Sequence, residues 1–279
     1  MDILLRWLLL SLSVLLAWPV WSAPLPRVAS INLCADQLVL LLADHDQILT
    51  LTNLSHDSAG SYFYEKARQY PANKGYSEKI LTLAPDVVIA GQYTALHTVK
   101  LLTEVGLRVE TLPIAGNLEM LFSNIALVAS WTGQQTRGQA IIADLKQRLQ
   151  NLKPVTEPRP VAAAYDPNGY TSGAGSLRGQ LMELSGWRNA ATDAGIESYG
   201  QLSLEQIINI APDALIDSPY SPGTYSRAQM TSRHPALLKA GLNPHMISIP
   251  SRMMVCAGPW TIDVLERLQD ERIMMTTPQ

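Results

Sequence analysis

Short apolar runs alternate along this chain with longer stretches in which apolar residues recur every three or four positions. Runs at residues 28–31, 48–51, 87–90 and 109–112 read as strands, as do 161–165, 214–216 and 246–249 in the second half. Their near-continuous Val, Ile, Leu and Ala content suits strands buried on both faces. Between them, residues 35–43, 97–105, 118–131, 176–185 and 261–270 carry a helical period, and Gly106, Gly133 and Gly186 stand where three of these helices stop. Strands that alternate with helices imply parallel sheets covered on both faces, an α/β fold.

The pattern repeats once. Glu78-Lys-Ile-Leu-Thr-Leu-Ala-Pro-Asp86 followed by an apolar run matches Glu205-Gln-Ile-Ile-Asn-Ile-Ala-Pro-Asp213 and its apolar run, position for position and without a gap. Ser77 and Ser203 are expected as helix N-caps. Pro85 and Pro212 stop each helix, because the residue before a proline disfavours helical angles. Asp86 and Asp213 are expected to fix the turn from helix to strand. Two copies are too few for a solenoid and fit two related lobes.

Between the copies, residues 134–152 carry Ile141, Leu145, Leu149 and Leu152 as one apolar stripe at helical spacing. Such a helix reaches roughly 30 Å and would make a stiff connector. Pro154, Pro158 and Pro160 punctuate the entry to the second half. The expected architecture is therefore α/β, two Rossmann-like lobes with parallel sheets joined by one long helix: residues 24–133, the helix at 134–153, and residues 154–279.

Composition narrows the function. A net charge of -3 and a pI near 6.0, with no run of Lys and Arg, exclude a nucleic-acid partner. Residues 1–23 hold one early arginine, an apolar run from Trp7 to Ala17, a break at Trp18-Pro19 and small residues at Ser22 and Ala23. This reads as a secretory signal peptide, the run being short for a membrane span. No Cys follows it to carry a lipid, so a soluble protein of a Gram-negative periplasm is expected. In that oxidising compartment the two cysteines, Cys34 and Cys256, favour a disulfide; a thiol pair on a soft metal or two unpaired thiols stay open.

With the paired Glu-x-Ile-x-x-apolar-Ala-Pro-Asp motif, the connecting helix, and the Gly173-Ala-Gly175-Ser-Leu177 turn leading to Leu184-Ser-Gly186-Trp187-Arg-Asn189-Ala190, the chain resembles the helical-backbone class of periplasmic binding proteins for ferric siderophores, haem and cobalamin. The resemblance implies a rigid two-lobe clamp that captures a small-molecule metal chelate and hands it to an ABC permease dimer and its ATPase. The protein itself would be a monomer with no cofactor, its ligand would bring the iron or cobalt, and it would meet the membrane only through the permease. The resemblance also assigns Glu78 and Glu205 to permease docking. A two-fold symmetric receiver offers the same basic patch twice, which one chain can complement only with a duplicated acid. As first-turn acids, both residues also complement their helix dipoles.

Open parallel sheets bind ligands beyond the carboxyl ends of their strands. That rule nominates Asn32, Tyr62, Tyr93, Tyr165, Tyr170, Tyr220, Arg252, Met254 and Trp260 as ligand-binding residues. Tyr and Trp offer flat faces to a macrocycle, and Arg252 suits a carboxylate or phosphate. Haem-binding members of the class use an axial Tyr or His, which keeps Tyr93, Tyr165 and His56 as candidates. The five histidines lack the spacing of a zinc site, yet a binding protein for free zinc or manganese shares this architecture and stays as a second reading. An exported enzyme is the third. Gly173-x-Gly175-x-x-x-Gly179 misses the dinucleotide spacing by one residue, and no Gly-x-Ser-x-Gly elbow or phosphate-binding P-loop is present. No catalytic residue is assigned.

Overall fold

The computed structural model describes residues 24–220, 223, 224 and 226–276; the signal-peptide reading of residues 1–23 lies outside them. The first lobe runs β1 (Val28–Ser30), α1 (Leu33–Leu42), β2 (Ile48–Thr52), α2 (Tyr64–Ala67), β3 (Ala72–Asn73), α3 (Ser77–Leu83), β4 (Val87–Gly91), α4 (Leu96–Glu104), β5 (Val109–Leu112) and α5 (Leu118–Trp131). The helix α6 (Gln135–Gln150) leads on to β6 (Val161–Ala164), β7 (Tyr170–Ser172), α7 (Leu177–Leu184), β8 (Arg188–Asn189), α8 (Ala190–Asp193) and β9 (Tyr199–Gln201). The chain closes with α9 (Leu204–Ile210), β10 (Ala214–Asp217), α10 (Pro235–Lys239), β11 (His245–Ser248) and α11 (Trp260–Thr276). No described helix is long and apolar enough to cross a membrane.

Two parallel sheets result, in the orders β3-β2-β1-β4-β5 and β11-β10-β6-β8. These are the expected parallel sheets, and one element is added to them: β7 and β9 form a separate antiparallel ribbon, with Tyr170 opposite Gln201 and Ser172 opposite Tyr199. The helix limits also shift. Asn32 caps α1 by accepting from the amides of Cys34 and Ala35, so α1 starts before the expected residue 35. Tyr76, not Ser77, precedes α3, whereas Ser203 caps α9 as expected and shares a capping box with Gln206.

Strand periodicity assigns the two sides of each sheet. Val28, Val87 and Ile89 point to one side of the first sheet, and Ala29, Val88 and Ala90 to the other. In the second sheet Ala162, Ala164, Ala214 and Ile216 point inward, and Ala163 and Leu215 outward. The inward residues of both sheets belong to one continuous apolar core, together with Leu121, Ile125 and Val128 of α5, Leu145 of α6, Leu181 and Met182 of α7, Trp187, and Leu265 and Leu268 of α11. The outward faces are closed separately, with Ile80 of α3 and Leu102 of α4 over the first sheet and Ile207 of α9 and Leu237 of α10 over the second.

Polar ties hold the helices in this arrangement. Arg148 of α6 reaches Asp263 and Glu266 of α11 at 2.6 and 2.5 Å. Gln269 of α11 clasps the backbone of Lys153, accepting from its N–H and donating to its carbonyl, each at 2.9 Å. Trp187 Nε1 donates to the Leu268 carbonyl.

The duplicated motif folds the same way twice. Ala84 and Ala211 end their helices in the left-handed region, with φ of 44° and 50°. Asp86 then accepts the Arg27 amide, and Asp213 the Val161 amide, each at 2.7 Å. Each aspartate thus pins the first strand of its lobe beside the strand that the motif itself opens. The Arg27 amide and guanidinium hold the Asp86 carboxyl below its usual range.

One ionisable group is fully buried in the first lobe. Asp36 of α1 accepts from the Thr52 amide at 3.1 Å and from the Thr52 hydroxyl. Burial pushes its pKa from the ordinary 3.8 up to about 7, against hydrogen bonds from Ser30 and Thr52 that pull it down. Between these two values the folded chain holds a proton that the unfolded chain has released. The associated stability is therefore full below the lower value and is lost as pH rises through the upper one. Asp36→Asn is expected to remove this slope. In denaturant unfolding across pH 4 to 8, the variant should gain more than about 1 kcal/mol on the wild type as pH rises; parallel curves contradict the assignment.

Candidate ligand-binding cleft

The carboxyl ends of both sheets open onto one cleft of about 620 Å³, inside the range of roughly 300–1,000 Å³ for small-molecule sites. The first lobe contributes Asn32 after β1, Gly91 to Tyr93 after β4, and Leu112 to Ala115 after β5. The second contributes Asp166 after β6, the Tyr170 end of the ribbon, Ser218 and Tyr220 after β10, and Met253 to Ala257. The floor is apolar, built from Leu38, Leu112, Leu177 and Leu181. Four tyrosines stand at the rim: Tyr93 (82% exposed), Tyr199 (70%), Tyr170 (55%) and Tyr220 (49%).

Local structure fixes several of these positions. Asn32 is locked by its capping bonds at 3.0 and 3.2 Å, and Gly91 leaves it room, since a Cβ there would meet Asn32 Nδ2 at 2.3 Å. Tyr170 and Tyr199 owe their places to the antiparallel ribbon. Asn124 of α5 lines the wall, donating to the Pro113 carbonyl at 2.7 Å.

The disulfide forms the back of the cleft. Cys34 and Cys256 are bonded, with Cα atoms 5.2 Å apart, and join the start of α1 to the segment before α11. Beside it, Tyr62 stacks on Trp260 at 4.5 Å, and Phe63 meets the same indole edge-on at 5.5 Å. Ser251 Oγ donates across the lobes to the Ala59 carbonyl.

Of the residues nominated from sequence, Asn32, Tyr93, Tyr170, Tyr220 and Met254 line the cleft. Four others take different places. Tyr165 is 1% exposed and packs in the outer core of the second lobe, where burial and then the charge of Glu205 raise its phenol pKa. Trp260 is equally buried and, with Tyr62, forms the joint between the lobes instead of a free ligand face. The indole Nε1 donates to the Cys256 carbonyl at 2.8 Å, which ties the ring to its own segment. Arg252 is absent from the lining, and its charge is felt instead by the Tyr64 hydroxyl of α2. His56 Nε2 donates to the Ala67 carbonyl at 3.0 Å, outside the cleft. Among the described residues, no three His, Cys, Asp or Glu side chains gather where they could hold a metal ion.

The cleft also contains groups that the sequence reading passed over: Tyr199, Asn124, and the pair Asp166 and Arg178. Arg178, 8% exposed, donates through Nη1 to Asp166 and through Nη2 to the Ile216 carbonyl at 2.9 Å. Asp166 also accepts the Ser218 amide at 3.0 Å. A basic residue in the turn after Gly173-Ala-Gly175 was the available signal for Arg178, because that turn brings the start of α7 to the strand ends.

Glu78 and Glu205 are exposed in the first turns of α3 and α9. Each helix feeds a parallel strand, so each starts at the carboxyl edge of its sheet, the edge that opens on the cleft. Each glutamate therefore sits at the start of its helix, toward the carboxyl edge of its own sheet. Glu205's own amide and the Ser203 hydroxyl hold its carboxyl below the usual range.

Residues 28–253 match a family model described as a periplasmic binding protein. A vitamin B12-binding protein of Salmonella typhi is 26% identical over 210 residues, covering 73% of this chain and 76% of that one. The uncharacterized ABC transporter substrate-binding lipoprotein YvrC of Bacillus subtilis is 20% identical over 69% of this chain, and the match spans 63% of that relative's length. Among solved structures, the periplasmic heme binding protein HutB of Vibrio cholerae aligns with a TM-score of 0.74 at 19% identity, covering 90% of this chain and 99% of that one, a likeness of fold.

Proposed function

The chain belongs to the periplasmic binding protein family, matched over residues 28–253, and on that premise we propose that it captures one metal chelate per molecule, a corrinoid, haem or ferric siderophore, and delivers it to an ABC permease dimer. The observation that carries this reading is the cleft itself. Its apolar floor comes from both lobes and its rim of four tyrosines offers flat faces with polar tips, a combination suited to a large, ringed ligand. The vitamin B12-binding relative and the ABC transporter relative support the ligand class and the receiver respectively. The disulfide agrees with export to an oxidising compartment, the role given to residues 1–23. The reading is stoichiometric capture, without turnover.

Delivery rests on the exposed glutamates Glu78 and Glu205, one per lobe on the cleft face, which a two-fold symmetric receiver meets with matching basic patches. Such pairing orients the encounter and speeds it more than it tightens it.

The binding claim is tested by titrating the chain from residue 24 onward with hydroxocobalamin, haemin and ferric siderophores, following visible spectra and Trp fluorescence. One chelate is expected to bind at about micromolar affinity or tighter with one equivalent per chain. Failure of every chelate, with binding of free zinc or manganese ions instead, transfers the function to bare metal capture. For docking, Glu78→Arg combined with Glu205→Arg is expected to abolish chelate uptake by cells while the purified variant keeps its chelate affinity. Normal uptake by the double variant removes the docking assignment.

A further inference from the structure

We infer that Asp166 sets the charge class of the cargo: by holding the Arg178 guanidinium, it leaves the described lining of the cleft without a free cation and selects an uncharged chelate fringed with amides over one that carries free carboxylates. The inference rests on the chelate-binding reading and narrows it to a corrinoid-type ligand.

Among the described residues that line the cleft, Asp166 and Arg178 are the only Asp, Glu, Lys, Arg or His. They neutralise one another. Arg178 Nη1 is bound to the Asp166 carboxylate and Nη2 to the Ile216 carbonyl, while the second Asp166 oxygen takes the Ser218 amide. With a side chain 9% exposed, Arg178 cannot swing out to meet a ligand without breaking both contacts. Arg227 and Arg252 lie on flanking segments and are not among the lining residues.

A ligand bearing carboxylates must shed water from them on entering such a site. Without a cation to receive them, that desolvation is not repaid. Haem carries two propionates. A corrinoid of the vitamin B12 type carries most of its peripheral carboxyls as amides, which pair with neutral donors and acceptors. The cleft supplies these in Asn32, Gln92 and the rim tyrosines.

The direct test compares haemin with cyanocobalamin by spectral titration, counting only binding that saturates at one equivalent per chain. The wild type is expected to prefer cyanocobalamin by at least about tenfold, the scale of one charge-assisted hydrogen bond gained or lost. Asp166→Asn keeps an acceptor for the Ser218 amide and releases Arg178. Its ratio of haemin to cyanocobalamin affinity should rise at least about tenfold, and adding Arg178→Gln should cancel that rise. Wild-type protein that binds haemin as tightly as cyanocobalamin overturns the inference and leaves the chelate-binding reading standing. So does a folded Asp166→Asn protein, verified by circular dichroism, whose ratio is unchanged. The wild-type comparison decides the matter even if the variant does not fold. A wild type that binds neither of these but takes a ferric siderophore overturns the inference alone, and one that binds no chelate of any of the three classes overturns the underlying reading with it.

Discussion

One apolar core receives the inner faces of both sheets, and the position of every cleft residue follows from it. Val87 and Ile89 from the first lobe and Ala164 and Ile216 from the second are buried in the same cluster as α5, α6 and α11. Moving one lobe against the other would open that core to water, at roughly 25 cal/mol for each Å² of apolar surface exposed. The Cys34–Cys256 bond, the Tyr62–Trp260 stack and the Arg148 ion pairs add ties at separate points around the interface. A hinge needs a region of few contacts, and this junction has the opposite character.

Such a junction fixes the cleft before any ligand arrives. The carboxyl ends of two sheets face each other across a set gap, so affinity need not be spent on ordering the site. The same constraint fixes the starts of α3 and α9, each at the carboxyl edge of its own sheet. Duplication accounts for both features. Asp86 and Asp213 each pin a first strand through one amide, so both lobes place their motif helices, and the acids on them, in equivalent ways. A charged surface for a partner and a charge-neutral interior for a cargo can then vary independently, since the glutamates and the Asp166–Arg178 pair lie on separate elements.

Much of the fold was legible because it is written locally. The Ala-Pro-Asp stop, the apolar run after it and the stripe from Ile141 to Leu149 each decide their own structure within a few residues. The β7–β9 ribbon was not legible, as its partners are far apart in sequence and short. The site was half legible for a related reason. The rule of strand ends found the right loops, but which side chain of a loop faces the cleft depends on strand parity. Along β6, Ala162 and Ala164 point inward and Ala163 outward, so Tyr165 falls on the outer side and Asp166 on the cleft side. A strand of alanines has no amphipathic contrast from which that parity can be read. Trp260 was misplaced because its stacking partner Tyr62 lies almost two hundred residues away in the chain, a contact that no local pattern announces.

The rigid clamp is the claim on which the cleft, its charge balance and the docking face all depend. It is tested most directly by placing spin labels on exposed positions of the two motif helices, through Lys79→Cys and Asn209→Cys, and measuring the distance between them by pulsed electron resonance with and without saturating chelate. The account predicts one distance distribution whose mean moves by less than about 2 Å on binding. Two populations in the free protein, or a displacement several times larger on ligand addition, would contradict it.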